Sequence, residues 1–189
     1  MKNDPLRVVR TALAGLLSLL LPALAGAQSS LTIPPSLTAA IRAIAPGADI
    51  LSPQEIDATA CAPLGASPNT VRADFNGDSL DDYALLLKMK ETGKVSKWEG
   101  RELRQADLAL AIFLADKAGS FHARVVREFL NYLPAAVALD LQPAGKVRHR
   151  DTNQTVTLKS PGVTLSFCEK SATTYYLAGD KVRSIPISD

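Results

Sequence analysis

From Thr70 onward the apolar residues of this 189-residue chain recur at a period of two, and the recurrences are broken by short turns rich in Gly, Pro, Asp and Asn. That spacing sends alternate side chains to opposite faces of a strand. Strands are expected at 71–73, 83–89, 108–114, 121–129, 155–158, 163–168, 175–178 and 181–185. Most of the connections between them are too short for a parallel crossover, so antiparallel pairing follows. Lys159-Ser160-Pro161-Gly162 suits a type II turn, and Gly179-Asp180 suits a two-residue hairpin loop. The segment from Gln105 to Ala111 also reads as helix, because Ala and Leu are frequent there.

Upstream of Thr70 the period changes. Leu37, Ala40, Ile41 and Ile44 recur at helical spacing, with Ser36 as the expected cap and Pro46-Gly47 as the stop. Ser52-Pro53-Gln54-Glu55 has the form of a capping box that opens one short helical turn before Cys61. The fold expected is α+β: a mostly antiparallel β-sheet with one or two short N-terminal helices and one disulfide.

The first residues carry a different signal. Lys2, Arg7 and Arg10 precede an uncharged run from Thr11 to Ala27, which ends in Ala25-Gly26-Ala27. This is the pattern of a secretory signal peptide over residues 1–27, with a flexible leader over 28–35 and a single domain over 36–189. Pro22 interrupts the run, which is short for the roughly 20 residues a membrane span needs. No membrane anchor is expected after cleavage. Removing 27 of the 189 residues leaves 162, with 18 basic and 18 acidic side chains and a net charge of zero. A neutral chain offers no basic field for nucleic acid. The expected location is periplasmic or secreted. In such an oxidising compartment the two cysteines, Cys61 and Cys168, pair by default. In Val163-Thr164-Leu165-Ser166-Phe167-Cys168, alternation places the bridge on the less apolar face of its strand.

Chemistry concentrates in Ala73-Asp74-Phe75-Asn76-Gly77-Asp78-Ser79-Leu80-Asp81-Asp82-Tyr83. Counted from Asp74 as position one, side-chain oxygens fall at positions one (Asp74), three (Asn76), five (Asp78) and nine (Asp82). The carbonyl of Leu80 at position seven can add another. A hard cation such as Ca²⁺ takes six to eight oxygens, and alternate residues of a tight loop can converge on one point. The other reading is a solvated hairpin turn, since Asn, Gly and Asp favour turns on their own account. An EF-hand is excluded, because Ser79 stands at position six, where that loop needs Gly, and Leu85 at position twelve, where it needs Glu.

The stretch resembles the FG-GAP or VCBS-type calcium loop of integrin alpha-chain propellers and many bacterial surface proteins. That loop has the pattern Asp-x-Asp/Asn-x-Asp-Gly-x-x-Asp between two strands. The resemblance implies Asp74, Asn76, Asp78 and Asp82 as side-chain ligands, Leu80 as the carbonyl ligand and calcium as the cofactor. Ser79 replaces the usual Gly, and a serine held at positive φ costs roughly 1 kcal/mol. The likeness covers about fifteen residues, and a propeller needs several such blades. By its whole length the chain resembles small exported bacterial proteins of unassigned function that carry one such loop.

No nucleophile–base set, phosphate-cradling loop or zinc-binding helix motif occurs in the sequence. His122 is expected to face outward from a strand, and His149 to lie in a solvated basic loop. Glu99 and Glu102 beside Trp98, or the Asp81–Asp82 pair, are the carboxylates a small hydrolase would use on cell-wall or carbohydrate substrates. Trp98-Glu99-Gly100-Arg101-Glu102 reads more simply as an exposed connection or a short helical turn. Trp98 is also a candidate anchor for a protein partner. Three functions therefore compete. The first is a non-enzymatic exported domain with a calcium loop, serving as an interaction or accessory module for a protein or cell-envelope partner. The others are a small periplasmic hydrolase and an inhibitor or binder of an exported enzyme.

Overall fold

The computed structural model describes residues 32–57, 59–61 and 67–188, so the expected signal peptide and the first half of the expected leader lie outside the described residues. The N-terminal helix α1 spans Pro35–Ile44. Its first helical residue is Pro35, whose fixed φ suits that place, and Ser36 lies inside the helix and does not cap it. The second expected helix is a 3-10 turn of three residues, Pro53–Glu55, held by the capping box read from Ser52 and Glu55.

The strands are β1 (Asp49–Ile50), β2 (Thr70–Ala73), β3 (Asp82–Trp98), β4 (Arg101–Ala115), β5 (Phe121–Tyr132), β6 (Val137–Gln142), β7 (Gly145–Arg148), β8 (Thr155–Leu158), β9 (Gly162–Phe167), β10 (Ser171–Ala178) and β11 (Lys181–Ser188). Every pairing is antiparallel. One sheet runs β1-β3-β4-β5, with β2 also paired to β3. A second runs β11-β10-β9-β6, and β7 and β8 form a separate ribbon. The 105–111 segment is strand, in the middle of β4.

The layering explains why that segment looked ambiguous. Tyr83, Leu85, Leu87, Ala109, Ala111 and Phe113 form one face of the β3–β4 pair and pack on Leu37 and Ile41 of α1. Ala84, Leu86, Leu108, Leu110 and Ile112 form the other face and pack against Val137, Leu139, Val163, Leu165 and Phe167. Sheet one is thus the middle layer between a helix and a second sheet. Its central strands are apolar on both faces, which erases the alternation that marks a half-exposed strand. Leu85, Leu86 and Leu110 are fully buried, and each such side chain contributes about 1.5–3 kcal/mol.

The Cys61–Cys168 disulfide forms, as the two-cysteine count implied. It lies in the main core, not on a polar face. Strand β9 ends at Phe167, so alternation no longer governs Cys168, and the chain turns there with Glu169 at φ 62°. The N–H of Cys168 donates to the carbonyl of Ala136, and that of Asp57 to Ala135. Both ends of the bridge are therefore moored to the same short segment. Gly162 departs from the type II expectation as well. It opens β9, and a Cβ there would lie 2.6 Å from the Tyr175 carbonyl oxygen. Glycine is needed for close approach of β9 to β10, not for a positive φ.

Candidate functional site

The acidic loop joins β2 to β3. Phe75, 1% exposed, plugs it into the core, and Asn76, Gly77, Asp78 and Ser79 stay at the surface. The loop is wound by its own side chains. Asp74 Oδ1 accepts the N–H groups of Gly77 (2.7 Å) and Asp78 (3.0 Å), and Oδ2 accepts that of Ser79 (2.8 Å). Asn76 Oδ1 accepts the Asp78 N–H at 3.0 Å, and Asp78 Oδ1 accepts the Leu80 N–H at 2.8 Å. The Asn76 amide donates to Asp78 Oδ2 at 2.9 Å. Turning the chain this tightly takes two left-handed residues, Gly77 at φ 82° and Ser79 at φ 68°. The strain expected of a serine at position six is present.

Asp81 ends the loop and Asp82 opens β3, and their environments are opposite. Asp81 is exposed and pairs with Arg72, which holds its carboxyl below the usual range. Asp82 is fully buried. Its carboxylate accepts the N–H of Phe75 at 2.9 Å and of Ala115 at 2.8 Å, so it fastens the loop to the end of β4. Burial pushes its carboxyl up, the two N–H donors oppose the shift, and the charges of Asp78 and Asp74 add to it.

The donor chemistry of Asp74, Asn76, Asp78, Asp82 and the Leu80 carbonyl suits a hard cation. A carboxylate oxygen has about two acceptor positions. Asp74 Oδ1 uses both on backbone N–H groups, whereas Asp74 Oδ2, Asp78 Oδ1 and each Asp82 oxygen use one. Among the described residues no three acidic, His or Cys side chains are drawn together as a metal-holding group. The loop is wound on backbone amides, with side-chain lone pairs left over.

The hydrolase candidates are not brought together. Glu99 and Gly100, at φ 46° and 76°, are the two turn residues of the β3–β4 hairpin, and Glu99 and Glu102 are exposed at its tip. Trp98 is half-buried, and its Nε1 donates to Asp57 at 3.3 Å, so it is not a free anchor. His122 is exposed as expected, 3.2 Å from Asp116. His149 follows β7, and its Nδ1 accepts the N–H of Asp151 at 3.2 Å.

A cleft of about 320 Å³ lies where Asp57, Glu91, Arg101, Arg104 and Ala135 meet. Asp57 is its most constrained group. The Ala60 N–H above all, then the Thr59 N–H, Trp98 and Arg101, hold its carboxyl low against the effect of burial. A carboxylate so fully engaged is a structural acceptor, poorly suited to proton transfer. Asp57 and Arg101 are 44 residues apart, and only a hairpin reading of Glu99-Gly100 would have aimed Arg101 toward the chain before Cys61. No family model matches this chain, and no curated protein or solved structure matches it significantly.

Proposed function

We propose that the protein is an exported, non-enzymatic interaction or accessory module, periplasmic or secreted, whose β2–β3 loop binds calcium and thereby stiffens the hairpin. The observation that carries this reading is the state of Asp82. It is a carboxyl at 0% exposure whose two oxygens each accept one backbone N–H and keep a lone pair, and the charges of Asp74 and Asp78 bear on it. A divalent cation between these groups relieves that repulsion and takes up the lone pairs the backbone leaves free. Asp74, Asn76, Asp78 and Asp82 are the proposed side-chain ligands, with Leu80 contributing its carbonyl, as in the FG-GAP-type loop the stretch resembles. Export rests on the pattern of residues 1–27, and the Cys61–Cys168 bridge is compatible with an oxidising compartment.

Thermal unfolding in calcium against EGTA tests the loop. A ligand at a hundred times its Kd adds about 2.7 kcal/mol. For a chain of this size that raises Tm by roughly 5–10 °C. Asp74→Ala lowers Tm in both media, because the Gly77 and Ser79 N–H groups lose their acceptor and that of Asp78 keeps only Asn76, and abolishes the calcium-dependent increment. An unchanged Tm in wild-type protein would overturn the calcium assignment.

A further inference from the structure

We infer that a second groove, between the β2–β3 loop, the turn from β8 to β9 and the β10–β11 hairpin, binds an acidic saccharide: one or two sugar rings bearing an oxyanion. The groove holds about 520 Å³, within the several hundred Å³ typical of small-molecule sites and too large for an inorganic anion. Its walls come from three distant parts of the chain. Asn76 belongs to the acidic loop, Thr157, Lys159 and Ser160 to β8 and its turn, and Tyr176 and Arg183 to the hairpin. The loop is seated against that turn closely enough that a Cβ on Gly77 would lie 3.1 Å from Ser160 Oγ.

Charge names the ligand. The groove is lined by two cations and by no Asp or Glu; neither Asp74 nor Asp78 lines it. Among the described residues Lys159 and Arg183 have no ion-pair partner. Many described cations of this chain lack an acid within ion-pair distance; what sets these two apart is that they line one cavity that no acid lines, and that placement favours an anion. The guanidinium fork suits a carboxylate or phosphate, and the ammonium adds a mobile point charge. Shape points to a sugar. Tyr175 faces the main core, and its neighbour Tyr176 points to the opposite side, where it is half-buried against Val147, Leu158 and Ile185, lines the groove and lies directly opposite Arg183 in the strand register. An aromatic face beside a cation, with Thr157 and Ser160 hydroxyls within the same walls, offers apolar surface for the ring and polar partners for its hydroxyls.

This inference does not rest on the calcium reading, and the titrations are run in EGTA so that the two fail separately. The probes are digalacturonate, glucose 6-phosphate, the neutral disaccharide cellobiose and inorganic phosphate, followed by amide chemical shifts of the purified protein. Either acidic sugar is expected to shift the amides of Asn76, Lys159, Ser160, Tyr176 and Arg183. Which of the two does so identifies the oxyanion. Cellobiose and phosphate are expected to bind at least tenfold more weakly. Lys159→Ala combined with Arg183→Ala should weaken the acidic sugar by about tenfold or more, with Tm unchanged because both side chains are exposed and unpartnered. Three results each overturn the proposal: cellobiose or phosphate binding as tightly as the acidic sugars, binding that ignores the double substitution, or no localised shift with any probe.

Discussion

Replacing Asp82 by Asn tests whether the buried carboxylate is the clasp that fixes the acidic loop to the sheet. Its two oxygens accept one N–H each, from Phe75 at 2.9 Å and Ala115 at 2.8 Å, at 0% exposure. Asparagine keeps one acceptor oxygen and turns an NH₂ toward the other N–H, so one buried donor loses its partner. That costs about 1–3 kcal/mol. The ionised carboxyl it replaces is itself disfavoured, first by burial and then by Asp78 and Asp74, and this offsets part of the loss at neutral pH. The sign follows from the direction of the shift. An acid whose folded pKa lies above its unfolded value of 3.8 contributes stability that is full below that value. The contribution is lost as pH rises through the folded value. Asparagine has no such term, so the deficit of Asp82→Asn is largest at acid pH and narrows toward neutrality. Asp57, Asp81 and Asp116 shift the other way, and their contribution fades as pH falls; it is common to both proteins and cancels in the difference. Urea unfolding in EGTA at about pH 4.5, 6 and 8 reads the deficit directly. A deficit that grows with pH would show the carboxylate to be favoured as an anion. No deficit at any pH would show that the bonds to Phe75 and Ala115 contribute nothing; either result refutes the argument.

Two further outcomes follow from the fold. Reducing the Cys61–Cys168 bridge, which spans 107 residues, should lower stability by about 5 kcal/mol on chain-entropy grounds; urea unfolding with and without a phosphine reductant measures it, and a loss below about 1 kcal/mol contradicts the estimate. Gly162→Ala puts a methyl 2.6 Å from the Tyr175 carbonyl oxygen and should cost about 1–3 kcal/mol by overpacking. If the demand on Gly162 were only a turn conformation, its φ would be positive, and it is not.

What the sequence disclosed and what it hid divide along one physical line, the distance over which a signal is carried. The capping box at Ser52, the two-residue loop at Gly179-Asp180 and the acidic loop are each set by residues within ten positions, and their geometry was readable. Strand β4 was not readable as strand with the same ease, because a helix covers one face and a sheet the other, so neither face stays polar. Strand β6 is hidden for the same reason, since Val137, Ala138 and Leu139 are all buried, and strand β7 for the opposite one. Each is short, and β7 sits in a run of basic residues whose Val147 alone is buried. Cys168 was assigned to the wrong face because alternation was extended one residue past the end of its strand. The two cavities are the extreme case. Asp57 meets Arg101 across 44 residues, and Asn76 and Arg183 come to line one groove from more than a hundred residues apart, through pairings that no local pattern specifies. Tyr175-Tyr176 shows how little was missing. Alternation alone says that the two rings face opposite ways, but which of them enters the main core depends on the first sheet lying against β10. With that layer in place Tyr176 must face the acidic loop's side of the molecule, opposite Arg183. A cation-lined groove then follows from the same period of two that predicted the sheet.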